Sequence, residues 1–206
     1  MILIGAKCKK CRSLGMKILW NERCASPKCA LIRRRTRPGV HGKKNRTLSV
    51  YARQLLEKQK LKYMYLLKER QLKNYFEKAQ KSKTSTPEIL VQLLERRLDN
   101  VVWRAGYVPA KTTARQLVAH GHFLVNGRRI TIPSYQVDVG DIISIRPKSR
   151  GIALFHNLKE RLMKYRPPSW LEVNPDTTET KIVRLPNLED ANLNIDLNVV
   201  IDFYNK

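Results

Sequence analysis

The sequence predicts an α+β fold, with helices first and a small unit of helices and antiparallel strands after them. Three observations carry this reading. Apolar residues recur every three or four positions from Ser49 to about Gln80 and again from Leu90 to Val102, the spacing of helices with one buried face. Asn126-Gly127 stands between two apolar stretches, the strongest short-range hairpin signal, because both turn positions require positive φ. Apolar and polar residues alternate through Tyr135-Gln136-Val137-Asp138-Val139 and Ile142-Ile143-Ser144-Ile145 about Gly140-Asp141, as strands of a small antiparallel sheet do. At 206 residues and 42% hydrophobic, the chain can bury a core in one or two domains.

The first element in order is Cys8-Lys9-Lys10-Cys11, then twelve residues, then Cys24-Ala25-Ser26-Pro27-Lys28-Cys29, which together hold all four cysteines. Each close pair can form a tight knuckle, and four thiolates close a tetrahedral structural zinc site with no open position for catalysis. Surrounding lysines and arginines favour thiolates and offset their charge. Two disulfides are the rival arrangement, and an iron–sulfur cluster is another on ligand type. The reading is one structural Zn2+ on Cys8, Cys11, Cys24 and Cys29. Next comes the basic run Arg33, Arg34, Arg35, Arg37, Lys43, Lys44 and Arg46, interrupted by Pro38-Gly39-Val40-His41-Gly42. Glycine and proline break regular structure, which leaves the cations on an extended loop able to approach phosphates closely; the residues alone allow a disordered tail equally well.

Ser49 opens a helical region with a break near Leu66. Its stripe of Tyr51, Leu55, Leu56, Leu61, Tyr65, Leu72, Tyr75 and Phe76 assigns the aromatics to packing rather than to base stacking. Lys81 to Ser85 is a polar linker. Ser85 or Thr86 caps the following helix, with Pro87 in its first turn and Glu88 near the positive end of the dipole. Lys111 and Arg115, four apart, share a face of a further helix that Gly121 stops. Thr112 or Thr113 is expected to cap that helix, because Ala110 offers no side-chain acceptor. Arg128-Arg129 leave the hairpin tip close by, so Lys111, Arg115, Arg128 and Arg129 are expected to form one concave cationic surface. Phe155 to Tyr165 reads as an amphipathic helix ended by Pro167-Pro168. Trp170-Leu171, Ile182 to Pro186 and Val199 to Tyr204 are apolar islands that need a core.

Lys and Arg number 41 against 17 Asp and Glu, a formal charge of +24. Such a chain repels itself, and a polyanion that releases counterions on binding relieves the repulsion. A membrane surface is the competing polyanion, but no 18-residue apolar run, signal peptide or basic amphipathic anchor stands out. The charge is uneven: residues up to Arg46 hold fourteen bases and the single acid Glu22, whereas Glu172 to Asp202 holds seven acids against Lys181 and Arg184. The N-terminal excess therefore reads as an RNA contact surface, and the acidic tail faces a different neighbour.

Arg97-Leu98-Asp99-Asn100-Val101-Val102, Ala114-Arg115-Gln116-Leu117-Val118, His120-Gly121-His122, Val125-Asn126-Gly127 and Val139-Gly140-Asp141, in this order and spacing, resemble the S-four RNA-binding domain. Pro38-Gly39, His41-Gly42, Glu57 to Leu61 and the cysteine set extend the resemblance to the small-subunit ribosomal protein S-four family in its four-cysteine, zinc-binding form. The resemblance implies a zinc-knuckle and basic RNA-binding extension over 1–46 and a helical domain over 47–86. It places the S-four domain with its following helix at 87–169 and a C-terminal segment, 170–206, that packs back on the helical domain. It implies rRNA contacts by Arg33, Arg34, Arg35, Arg37, His41, Lys43, Lys44, Arg46, Lys58, Lys60, Lys111, Thr112, Arg115, His120, His122, Asn126, Arg128 and Arg129. The implied role is structural: early binding to the five-prime domain of small-subunit rRNA in the cytoplasm or an organelle such as the plastid. Neighbouring ribosomal proteins and mRNA near its point of entrance to the subunit are the other implied partners, with a contribution to translational accuracy.

Catalysis has no constellation to support it. His41, His120, His122 and His156 accompany no plausible nucleophile or paired carboxylate, and no small-molecule substrate is implied. The rivals are an RNA-modifying enzyme and a stress-related RNA chaperone carrying the same small domain. The first needs a catalytic domain for which no unassigned stretch is long enough, and the second is expected to lack the cysteines, loop and tail together.

Overall fold

The computed structural model describes residues 6–18, 24, 26–43 and 47–205. In chain order the helices are α1 (Lys7–Leu14), α2 (Ala30–Arg33), α3 (Val50–Met64), α4 (Glu69–Gln80), α5 (Thr86–Glu95), α6 (Leu98–Arg104) and α7 (Lys111–Ala119). Strands β1 (Phe123–Val125), β2 (Arg128–Arg129) and β3 (Ile142–Ile145) follow, then α8 (Leu158–Lys164), β4 (Leu171–Asn174), β5 (Glu179–Ile182), α9 (Leu188–Ala191) and α10 (Leu197–Tyr204). They divide into two compact units, one of Met1–Pro87 with Leu193–Lys206 and one of Glu88–Asn192. Among the described residues no helix is long and apolar enough to cross a membrane.

The discontinuous unit is built on α3, α4 and α10. Ser49 caps α3 by accepting a hydrogen bond from the Ala52 amide, and Asp196 caps α10 by accepting from Asn198 and Val199. Tyr204 stacks on Phe76 at 4.9 Å between centroids, so the buried aromatics of the stripe, Tyr65 and Phe76, are packing, whereas Tyr51, 5.7 Å from Phe203, stays exposed. The break between α3 and α4 falls at Leu66, which adopts a left-handed φ of 55° although it is not glycine. That conformation costs roughly 1–2 kcal/mol in an L-residue. Its side chain is buried with Cys11 and Ile18, which offsets the cost.

The second unit holds a five-stranded antiparallel sheet in the order β2-β1-β3-β5-β4. Phe123, Val125, Ile143, Ile145 and Ile182 point from it into a core shared with Leu98, Val102, Tyr107 and Trp170. A polar network underlies α6. Arg97, fully buried, donates from Nε and Nη2 to the two carboxylate oxygens of Asp99 at 3.0 and 2.7 Å. Glu95, also buried, accepts from Arg104 at 2.9 and 3.1 Å and from Asn100 at 2.7 Å. Bidentate pairing of this kind is what permits such charges to be buried.

Three expectations are corrected here. Tyr135 to Val139 is no hairpin partner of β3: the Leu98 amide donates to Tyr135 and the Val137 amide to Arg96, and Gly140-Asp141 instead turns the chain toward β3's pairing with β1 and β5. Asp141 is occupied at that turn, accepting from Asn126 Nδ2 and from the Asp138 amide. The C-terminal segment is divided: β4 and β5 extend the sheet of the second unit, and only the chain from Leu193 joins α3 and α4. Finally, α7 starts at Lys111 with Ala110 as its cap residue, because Ala110 is extended and its carbonyl takes the first helical bonds from Thr113 and Ala114. The helix is not shortened to Thr112 or Thr113.

Candidate nucleic-acid interface

In the discontinuous unit, Arg33, Arg34, Arg35, Arg37, His41 and Lys43 are all exposed, as a surface for a polyanion requires; Lys44 and Arg46 lie outside the described residues. The segment is held from below. Arg12, on α1, donates from its guanidinium to the carbonyls of Arg34 and Thr36 at 3.2 Å each and to that of Arg37 at 3.4 Å. One buttressing arginine thus leaves the side chains of its neighbours directed to solvent. The turn that follows is closed by the Gly42 amide donating to Gly39. A Cβ at Gly42 would stand 1.9 Å from the Arg37 carbonyl oxygen, so only glycine fits there.

The cysteines flank this segment. Cys29 immediately precedes the short α2, where the amides of Leu31 and Ile32 donate to its thiol. The Leu31 amide acts most strongly, and with Ile32, Lys17 and the Cys24 thiol it outweighs burial and holds the Cys29 thiol below the ordinary range. Cys8 and Cys11 lie on α1, Cys8 exposed and Cys11 packed in the apolar cluster with Leu66. Cys24 and Cys29 are therefore neighbours with a hydrogen-bonded sulfur, as one knuckle of a metal site would be. Among the described residues, however, no three His, Cys, Asp or Glu side chains converge on a common point. The second pair suits a metal; the first would have to turn toward it.

In the second unit, the exposed cations gather at the end of the sheet where α7 stops. Gly121, at φ 74°, ends α7, and Arg129 lies across it. A Cβ on Gly121 would meet Arg129 Nε at 2.2 Å, so glycine is needed both for the backbone and for the arginine above it. Arg129 donates from Nη2 to the His120 carbonyl at 3.0 Å. His120 and His122 stack with centroids 6.0 Å apart, and His122 Nδ1 is 2.9 Å from Ser149 Oγ. Burial, then the positive charges of His120, Arg129 and Arg146, hold the His122 ring below the ordinary imidazole pKa. The ring thus registers a locally positive field.

Several expected contact residues are engaged within the protein. Lys58 is buried, pairs with Glu69 at 2.6 Å and stands 4.3 Å from the centre of the Phe203 ring. Lys60 bonds Glu57 at 2.6 Å. Arg115, half-buried, pairs with Asp99 at 3.3 Å and so belongs to the Arg97 network. Lys111 rests over the Trp103 ring at 4.4 Å, and burial, partly countered by Glu95, pushes its pKa down to about 8. Thr112 is half-buried. Asn126 locks the hairpin, donating to Asp141 and accepting from the Ile142 amide. The four residues expected to form one concave surface, Lys111, Arg115, Arg128 and Arg129, differ in their surroundings. Arg128 and Arg129 are exposed on β2, while Lys111 and Arg115 share their helix face with the acids beneath it.

Sequence reasoning missed Arg146 and Arg150, which flank a single helical turn at Pro147–Ser149, and Lys148 within it, all of which supply further charge. It also missed Arg12 as a buttress. The cue for the first group was the basic run straight after β3, where a strand ends and its last side chains reach the sheet's edge. The Arg12 contacts, more than twenty positions away in sequence, left no local signal.

Comparison with known proteins agrees with this arrangement. Residues 3–95 match the family described as the ribosomal protein S4/S9 N-terminal domain, and residues 96–143 match the S4 domain. "Small ribosomal subunit protein uS4" of Caldicellulosiruptor saccharolyticus is 44% identical over 204 residues, 98% of both chains. The proteins of the same name from Acetivibrio thermocellus and Clostridioides difficile are 46% and 44% identical over 203 residues, again 98% of both chains. With both of its parts matched and relatives aligned along nearly the whole length, the chain belongs to the uS4 family of small ribosomal subunit proteins.

Proposed function

We propose that the protein is a structural rRNA-binding component of the small ribosomal subunit that acts without catalysis. It binds the five-prime domain of the rRNA early in assembly and also touches neighbouring ribosomal proteins. The observation that carries this reading is the exposed cationic end of the sheet, where Arg128, Arg129, His120 and Lys148 lie beside the half-buried His122 and Arg146. Cations on a rigid edge suit phosphate and shape recognition of RNA, whose deep major groove excludes side chains. The Arg33 to Arg37 segment, His41 and Lys43 form a second rRNA-facing surface, and basic residues of the protein also border the path by which mRNA enters. A contribution to translational accuracy belongs to the same reading. Hydroxyl-radical footprinting of the full chain on small-subunit rRNA tests the proposal. Protections confined to the five-prime domain are expected; protections scattered over the molecule would reject it.

One structural Zn2+ completes the N-terminal surface, held by Cys8, Cys11, Cys24 and Cys29. The amides donating to Cys29 and the adjacent Cys24 support this assignment, since a thiolate ligand benefits from both. When bound, the metal cross-links α1 to the start of α2 and so fixes the base of the basic segment.

A further inference from the structure

We infer that His122 is the centre of a subsite for a single RNA phosphate, in which the ring's outer nitrogen donates to the phosphate and binding draws one proton onto the ring. This rests on the RNA-binding reading above and deepens it at one residue. The ring is held on a rigid frame: the His122 amide donates to Leu117, and its carbonyl accepts from the Arg146 amide at 2.9 Å. Ser149 is buried, and the ring is the one side-chain partner of its hydroxyl among the described residues. A buried hydroxyl hydrogen needs an acceptor, so Ser149 donates to Nδ1 and the neutral ring carries its proton on Nε2. Nε2 is not among the buried polar atoms that lack a partner, and no protein group bonds it among the described residues. It opens to solvent as a ready N–H donor.

Basic residues from three elements bear on the ring. His120 comes from the end of α7, Arg129 from β2 and Arg146 from the end of β3, with Lys148 and Arg150 flanking Ser149 on the helical turn. No ion pair joins Arg128, Arg129, Arg146, Lys148 or Arg150 to a carboxylate among the described residues. In the free protein burial first, and then this field, disfavour the charged ring and hold its pKa below the ordinary imidazole range. A phosphate at Nε2 reverses the local sign, and a proton from solvent then enters at Nδ1. Ser149 donates to Nδ1 in the neutral ring; in the charged ring its oxygen accepts from Nδ1–H and its own hydrogen gives up that acceptor, a cost the phosphate at Nε2 has to outweigh. The linkage has a definite sign. The complex binds more protons than the free protein between the two pKa values of the ring, so affinity falls as pH rises through that interval and is flat on either side.

The test is binding of the full chain to a transcript of the five-prime domain of small-subunit rRNA at constant ionic strength, from about pH 5.5 to 8. The wild type is expected to lose affinity about three- to tenfold across this range, the most that one proton of modest shift can give. His122→Gln should remove that step, whereas His120→Gln should keep it. A second reading, on the wild-type protein alone, is the nitrogen and proton resonances of the His122 ring. In the free chain the neutral ring should be protonated on Nε2, its pKa should rise when RNA is added, and Ser149→Ala should give a mixture of tautomers. An identical pH profile in His122→Gln, or a ring pKa unmoved by RNA, overturns the inference and leaves the RNA-binding reading standing. A chain that binds the transcript at no pH overturns both.

Discussion

Arg12 makes the basic segment a surface rather than a tail. Its guanidinium spans three successive parts of the backbone at Arg34, Thr36 and Arg37, so Arg12→Ala should speed tryptic cleavage at Arg33 to Arg35 several-fold while leaving the circular-dichroism spectrum unchanged. Leu66 is the opposite case, a residue that looks misplaced and is not. The sequence places a helix break there and the backbone takes a left-handed φ, for which glycine is the usual solution. Relief of strain by Leu66→Gly yields roughly 1 kcal/mol, whereas loss of a buried leucine side chain costs about 1.5–3 kcal/mol. Net destabilisation of about 1 kcal/mol is expected in urea denaturation. The break itself was legible from the sequence, because apolar spacing lapses there; the partner that makes leucine tolerable, Cys11, lies more than fifty positions earlier and was not.

At the scale of elements, α7 and the β1–β2 hairpin divide the work that the sequence assigned to both. Helical periodicity correctly put Lys111 and Arg115 on one face, but it cannot say that the face lies over Asp99, Glu95 and Trp103 rather than solvent. Arg128→Ala with Arg129→Ala should weaken rRNA binding and lower the slope of log affinity against log salt by about 1 per residue. Arg115→Ala should leave that slope nearly unchanged and cost about 1 kcal/mol of stability, because Asp99 keeps its two bonds from Arg97. Lys111 carries a pH signature of its own. Its pKa in the folded chain lies below the unfolded value, so the unfolded state binds more protons between about pH 8 and 10.4, and the stability of the second unit should rise across that window. Lys111→Met should abolish the rise in thermal melts. The sheet was less legible than the helices: the alternation at Tyr135 to Val139 is real, but its backbone pairs with the approach to α6, a partner that no local pattern names.

For the molecule as a whole, the two units are expected to respond to different conditions. In the discontinuous unit, burial pushes the Glu69 carboxyl up, but hydrogen bonds from Lys58 and Lys62 outweigh it and hold the group below the usual carboxylate range. Its contribution is present above the unfolded carboxyl pKa and is lost as pH falls through the folded one. Acid should therefore loosen the α3–α4–α10 unit, seen as broadening of the Phe76 and Tyr204 resonances and their movement toward random-coil positions, and Glu69→Gln should flatten this dependence. The proposed metal belongs to the same unit: purified protein should contain about one zinc per chain, as four thiolates in one tetrahedral centre require. Chelation should increase proteolysis near α1 and α2 without changing the melting of the sheet unit, and the finding of iron or of no metal would reject the assignment. The charge asymmetry and the four-cysteine spacing were visible in the sequence because both are local; the division of the tail between the units was not, because Leu171 to Ile182 and Leu197 to Tyr204 look alike as apolar islands.

That division sets a schedule for synthesis. Residues 88–192 are contiguous and can close their sheet once Ile182 has left the exit tunnel, whereas α3 and α4 wait for α10. Domains usually fold in the order in which they are made. Here the first-made helices finish last, and Phe76 and Tyr51 remain without Tyr204 and Phe203 for more than a hundred residues of elongation. The nascent chain therefore has a folded RNA-binding sheet while its other half is still open, and its apolar helices need shielding during that interval.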